Sequence, residues 1–169
     1  WGGPSWQSSL GMIGLAWAAH LREKHLDEDT LALVRELTWR EADHLEKKIP
    51  SGNQGNTQSE DCTWNTPLLA FAANKHADHP RAARWDELCK QWAINALSTK
   101  DDARSTELVD GRPLGEWIVS ENVYPDLTIE NHQMWSVGYQ CSSQLFGEGA
   151  LAYRVFGRPV PEAYSHHAD

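Results

Sequence analysis

The sequence predicts an all-α protein built from helices in antiparallel pairs. Apolar residues recur at helical spacing over several long segments, and alternation typical of β-strands is almost absent. Clusters rich in Pro, Gly and Asn separate these segments. We therefore expect about five long helices, stacked as helical hairpins in an open arc. Residues 1–160 form this domain, and residues 161–169 form a frayed tail.

The first two helices follow directly from this pattern. The first is expected from Ser5 to about Glu23, with apolar residues through its middle. The second begins after the acidic residues 27–29, which suit a helix start, and its apolar stripe continues to about Lys48.

The break at residues 50–56 introduces the second pair of helices. The third helix is predicted from Ser59 to Lys75, with Pro67 either near its first turn or at a kink. Pro80 suits the first position of the fourth helix, whose apolar face is clear.

The last third of the chain is less regular. Residues 99–125 are rich in turn-forming residues, and we expect a long ordered loop with one short helix or strand. Thr128 is a candidate N-cap, and the fifth helix is expected from near Glu130 to Phe156. Gly157 to Pro159 end it.

The start of this fifth helix contains the densest group of chemically useful side chains. Glu130 and Asn131 fall in its predicted first turn, where the helix dipole favours negative charge. His132, Trp135 and Tyr139 then share one helix face at the expected spacing. The segment therefore predicts a functional site.

Two other helix starts repeat this composition. In the third helix, Ser59 is the candidate cap, and four functional candidates follow it: Glu60, Asp61, Trp64 and Asn65. The amino terminus carries a shorter version, Trp6 and Gln7. Because alternate helices of stacked hairpins point the same way, we expect these three helix starts to gather at one functional end.

The bulk composition limits the partners. A net charge of -9 argues against a nucleic-acid backbone as the partner. No apolar run approaches the roughly 20 residues that span a bilayer, so no membrane partner is expected. The chain begins without Met, which suggests processing or excision from a longer protein.

Cysteine and tryptophan add two expectations. The three cysteines are widely spaced, so a zinc ribbon is not predicted, and Cys62 with Cys141 is the pair to test if a bridge exists. The nine tryptophans exceed ordinary usage. Those inside helical patterns are expected in the core, whereas those at helix starts suit stacking on sugar rings.

No cofactor or metal is predicted. The pair His166-His167 falls in the expected tail, and His76 with His79 flanks a turn. The acidic loop residues lack the regular spacing of a calcium-binding loop.

Four segments together suggest a family: 55–65, 79–85, 109–113 and 130–132. They resemble α/α-toroid proteins of polysaccharide metabolism, the heparinase-like and chondroitinase-like lyases. The resemblance implies a ring of helical hairpins with a sugar-binding cleft at one end, of which this chain forms a part. It also implies an acidic polysaccharide or oligosaccharide as partner, and another chain or segment that completes the toroid. Secretion or a periplasmic location is favoured.

In such lyases an amide neutralises the substrate carboxylate, an imidazole or phenolate removes the C5 proton, and a phenol protonates the leaving oxygen. By this resemblance Asn131 or Asn65, with His132 and Tyr139, would take these roles. The usual basic residue beside them is not evident in the sequence.

Two alternatives remain open from the residues. A glycoside hydrolase needs two carboxylates about 5 to 9.5 Å apart, for which Glu60 or Asp61 with Glu130 is the natural pair. A non-catalytic helical module would instead bind glycans or a protein through Trp64 and Trp135.

Overall fold

The computed structural model describes residues 7–48, 50–135, 137–141 and 146–167, and Phe146 without its side chain. Within these ranges the protein is mainly helical, which confirms the predicted class. The helices are α1 (Ser8–Leu21), α2 (Glu28–Glu46), α3 (Ser59–Lys75), α4 (Ala82–Ala96), α5 (Leu114–Trp117), α6 (Val137–Gln140) and α7 (Phe146–Val155). Four short strands form two hairpins: β1 (Leu108–Val109) with β2 (Arg112–Pro113), and β3 (Glu130–Asn131) with β4 (Met134–Trp135).

Helix α3 is the centre of the fold. Most of its residues are buried, and it packs against α1, α2, α4 and α7. Trp85 and Trp92 of α4 are fully buried beside it, while Trp17 and Trp39 pack half-buried against the same core. Aromatic residues inside the helical patterns therefore serve the core, as expected. No helix in the described ranges combines the length and the apolar character that a bilayer crossing requires.

Pro67 lies well inside α3 and is buried there. A proline has no N–H to donate, so the carbonyl four residues earlier, that of Thr63, loses its helical partner. The side-chain hydroxyl of Thr66 donates to that carbonyl instead, at 3.1 Å. This local replacement explains how the helix continues past the proline.

The segment expected as a loop contains a tight β-hairpin and one short helix. Asp110 and Gly111 form the turn between β1 and β2, and both have positive φ, 50° and 78°. The pair Asp-Gly is the preferred sequence for such a two-residue turn. The expectation of an ordered segment with one short helix or strand was therefore too simple.

The predicted helix from Glu130 to Phe156 is wrong. Its first residues form the β3–β4 hairpin, in which Glu130 pairs with Trp135 and Asn131 with Met134. His132 and Gln133 make the turn with φ of 52° and 60°, a left-handed conformation that no α-helix contains. Thr128 also does not cap a helix, because strand β3 follows it at Glu130. Among the described residues of this region, the helices are α6 and α7.

Residues 161–167 were expected to fray, but the structure docks them. Backbone N–H groups of Glu162 and Ala163 donate to the Asp110 carboxylate, at 3.2 and 2.9 Å. Tyr164 is 8% exposed, and its hydroxyl lies 3.0 Å from Cys89 Sγ on α4. The segment is thus held against the domain from two sides.

Candidate functional site

A polar cleft of about 320 Å³ opens at the amino end of α3. It lies between that helix start, the segment that follows the end of α2, the β3–β4 turn and α6. The lining residues are Lys48, Asn56, Gln58, Glu60, Asp61, Trp64, Asn131, His132 and Tyr139. Two segments that the sequence singled out, around residues 60 and 131, therefore meet here.

The first turn of α3 is fixed by side chains from outside the helix. The N–H of Gln58 donates to Asn122 Oδ1 at 2.8 Å, and that of Ser59 donates to Thr57 Oγ1 at 3.0 Å. The N–H of Thr57 donates to the carbonyl of Glu130 at 3.1 Å. These bonds satisfy free donors near the helix start and join α3 to strand β3. Ser59 is the first helical residue rather than the predicted cap.

Glu60 is the most unusual group in the cleft. It is 8% exposed, and its Oε1 accepts a hydrogen bond from Asn131 Nδ2 at 2.8 Å. Its Oε2 is buried and has no hydrogen-bond partner among the described residues. Burial raises the pKa of the Glu60 carboxyl, and the neighbouring Asp61 adds to this effect. A raised pKa makes the protonated form of Glu60, in which Oε2 can donate, easier to reach than for an exposed carboxyl.

A basic residue that the sequence did not reveal lies beside these acids. Lys48 Nζ is 2.7 Å from Asp61 Oδ2, and it also lies 5.8 Å from the centre of the Trp92 ring. Lys48 lies two residues after the end of α2, in the connection of twelve residues that leads to α3. No local signal in the sequence marks it, because its approach to α3 is a tertiary contact.

His132 and Tyr139 face each other although they do not share a helix. Their ring centres are 6.5 Å apart at an angle of 75°. His132 stands at the hairpin turn and is exposed, while Tyr139 is half-buried in α6. The N–H of His132 donates to Asn131 Oδ1 and Asn56 Oδ1, which holds the turn against the cleft. The imidazole and the phenol are thus brought together by the turn and not by helical spacing.

No family model, curated protein or solved structure matches this chain. The interpretation of the cleft therefore depends on the geometry of its own residues.

Two predicted site residues have other roles in the structure. Glu130 does not line the cleft, and its carboxylate accepts a hydrogen bond from the Tyr124 hydroxyl. Asn65 is 1% exposed, donates to the backbone carbonyl of Asp61 and accepts from Ser9 Oγ at 2.6 Å. Glu130 points away because strand neighbours alternate in direction, and Asn65 instead ties α1 to α3.

The remaining candidates that the structure describes also lie outside the cleft. Trp135 is 61% exposed and outside the cleft, since its position in β4 differs from the predicted helix face. Gln7 precedes α1, is exposed and does not line the cleft, and Trp6 lies outside the described residues. Cys62 is buried, Cys141 is exposed, and both are free thiols.

Proposed function

We propose that this protein acts on an acidic polysaccharide at the α3 cleft, by β-elimination. The observation that carries the proposal is that a carboxyl with a raised pKa, an imidazole and a phenol lie in one cleft beside a lysine. Acidic sugars offer a carboxylate, a weakly acidic C–H and a leaving oxygen. These three groups require the three kinds of side chain that the cleft contains.

The first requirement is neutralisation of the uronate carboxylate, since only then does the C5 proton become acidic enough to remove. A protonated Glu60 would donate from Oε2 to that carboxylate, and Lys48 would supply positive charge nearby. The sequence-based assignment gave the neutralising role to an amide. In this proposal Asn131 instead holds Glu60 in position through its 2.8 Å hydrogen bond.

The second requirement is a base and an acid on the two sides of the bond to be broken. His132 would take the C5 proton, and the C–H electron pair would form the C4–C5 double bond as the C4–O bond breaks. Tyr139 would then give its proton to the leaving oxygen. The two ring centres are 6.5 Å apart, so the proton acceptor and the proton donor are close enough to act on neighbouring atoms of one sugar at the mouth of the cleft.

Trp64 supports a sugar as the substrate. It lines the cleft and is only partly buried. Indole faces stack on sugar rings with little loss of conformational entropy.

The proposal also includes the α/α toroid that the family resemblance implies. We infer that the helices form part of an α/α toroid that another segment or chain completes. Support comes from apolar side chains exposed on neighbouring helices: Leu10 and Leu15 on α1, and Leu33 and Leu37 on α2.

The decisive experiment is a panel of uronate polysaccharides assayed by ultraviolet absorbance, because β-elimination creates an unsaturated sugar that absorbs there. His132→Asn removes the base but keeps a residue that tolerates the left-handed turn. We expect turnover to fall about 100-fold or more, the usual contribution of a general base. Gln133→Asn is the matched control in the same turn and should retain activity. Equal turnover by both variants would refute the assignment of His132.

Hydrolysis is the second candidate, favoured by the raised pKa of Glu60, which suits a general acid. Its partner would be Asp61, since Glu130 does not face the cleft. Hydrolysis would release new reducing ends without ultraviolet absorbance. Binding without either product, lost in Trp64→Ala, would instead identify a glycan-binding module.

A further inference from the structure

A second cluster of polar side chains lies away from the α3 cleft, where the docked carboxyl-terminal segment meets the residues after α4. His167 Nε2 is 2.9 Å from Asp102 Oδ2 and 3.1 Å from Oδ1. His166 Nε2 is 3.4 Å from the same Oδ2. One nitrogen from each imidazole and one oxygen from the carboxylate lie within 4.8 Å of one another.

His166 points to a missing ligand. Its side chain is 8% exposed, yet Nε2 makes no hydrogen bond to any residue that the structure describes. A buried polar nitrogen without a partner is unfavourable, and the usual explanation is an ion or water at that position. Because Nε2 faces the Asp102 carboxylate at a non-bonding orientation, a cation between them would satisfy both groups.

The spacing suits a small tetrahedral metal. Zinc binds His nitrogen and carboxylate oxygen at about 2.0 to 2.2 Å, so two ligand atoms of a tetrahedral site lie roughly 3.3 Å apart. The separations between the imidazole nitrogens and Asp102 Oδ2, 2.9 and 3.4 Å, bracket this value, and all three ligand atoms lie within 4.8 Å of one another. Imidazole ligands also favour zinc over calcium or magnesium, which prefer oxygen.

The surroundings hold the carboxylate as a metal site requires. The N–H and hydroxyl of Thr99 donate to Asp102 Oδ2 at 2.7 and 2.8 Å, which fixes the orientation of the carboxylate. The histidines follow Tyr164, whose buried ring anchors their segment to α4. Both ligand groups are therefore positioned by contacts that do not need the metal.

We propose that Asp102, His166 and His167 bind one Zn²⁺ ion. The three residues supply three ligands, and the fourth position faces a cleft of about 580 Å³ that they line together. A water molecule or an anionic ligand would occupy that position, as in zinc sites with three protein ligands. The proposal departs from the sequence-based expectation of a chain without a metal.

The test is zinc binding by metal-free protein, measured by isothermal titration calorimetry and by the visible spectrum after Co²⁺ substitution. We expect one equivalent to bind and the tetrahedral Co²⁺ bands to appear. Removal of a ligand in His167→Ala should weaken binding by about 100-fold or more, since loss of a mere supporting contact already costs 10- to 100-fold. Its side chain is 30% exposed, so the metal-free variant should remain folded and lose little stability.

His25→Ala is the matched control, because His25 is exposed and outside the cluster. It should bind zinc as the wild type does. Wild-type protein that binds no zinc, or His167→Ala that binds it as tightly as His25→Ala, would overturn the proposal. If Asp102→Asn fails to fold, the His167→Ala result still decides.

Discussion

Two carboxyl groups of this protein have nearly equal burial, but their pKa values are shifted in opposite directions. Glu60 is 8% exposed and Asp102 is 6% exposed. Although burial acts to raise the pKa of both, the pKa of Asp102 is lowered well below its usual range, because His166, Thr99 and His167 surround its carboxylate. Among the described side chains Glu60 accepts a hydrogen bond only from Asn131, and its pKa is raised. The comparison teaches that the polar groups around a buried carboxyl, and not burial alone, decide the direction in which its pKa shifts.

The largest expected effect is at Asp102. In Asp102→Asn the Thr99 donors lose their charged acceptor, and we expect the free energy of unfolding to fall by about 3 kcal/mol. Urea denaturation at neutral pH measures the change. The control is Asp101→Asn, which breaks an ion pair with Arg104 whose side chains are more than 70% exposed, and which should change stability by less than about 1 kcal/mol. Equal losses in the two variants would contradict the role given to buried donors.

The next effect tests how the Asp102 cluster is held. A Cβ added at Gly149 would overlap the Tyr164 hydroxyl, so Gly149→Ala should displace the segment that carries the histidines. We expect about 2 kcal/mol of lost stability and weaker zinc binding. Gly147→Ala, in the same helix with no atom near the added Cβ, should be neutral or stabilising by up to about 1 kcal/mol. Calorimetric unfolding of both variants compares them directly.

A smaller effect is expected at Asn131. Asn131→Ala removes the donor to Glu60 Oε1, and we expect the free energy of unfolding to fall by about 1 to 2 kcal/mol. The pKa of Glu60 should rise further, because its charged form loses a hydrogen bond. Carbon-detected NMR titration of the Glu60 carboxyl reports this shift, and a lowered pKa would contradict the account.

The smallest effect is at Glu60 and depends on pH. Because its folded pKa is raised above the ordinary 4.5, the folded state retains a proton that the unfolded state has lost. The contribution of the Glu60 carboxyl to the free energy of unfolding is therefore present in full below pH 4.5 and is lost as pH rises through the folded pKa. Glu60→Gln lacks this loss, so its stability relative to wild type should increase with pH over that window. Urea midpoints measured across that range test the sign, and a decreasing relative stability would exclude a raised pKa.

The outcome of the sequence predictions depended on the range of the interactions involved. The bounds of α3 and the core positions of Trp85 and Trp92 follow from local periodicity, which a sequence carries in full. The turn at His132 and Gln133 could not be predicted from local periodicity. Those residues are uncommon at positive φ, and their conformation depends on hydrogen bonds to Gly55 and Asn56 far along the chain.

The candidate site shows the same division. Glu60, Asp61, Trp64, Asn131, His132 and Tyr139 were recognised from composition, and all line the cleft. Lys48 was missed because its local sequence does not indicate that this residue, two positions after the end of α2, lies beside the start of α3. Trp135 and Glu130 were assigned to the cleft from a helix that does not form there.

The sequence by itself determined the mainly helical class, the four long helices and the concentration of polar and aromatic residues near the start of α3. Tertiary structure decided which of those side chains meet, that Lys48 joins them, and that the last histidines reach Asp102. The physical reason is that helix formation follows from contacts three or four residues apart, whereas each site joins segments more than 60 residues apart, as in the bonds from Asn131 to Glu60 and from His167 to Asp102.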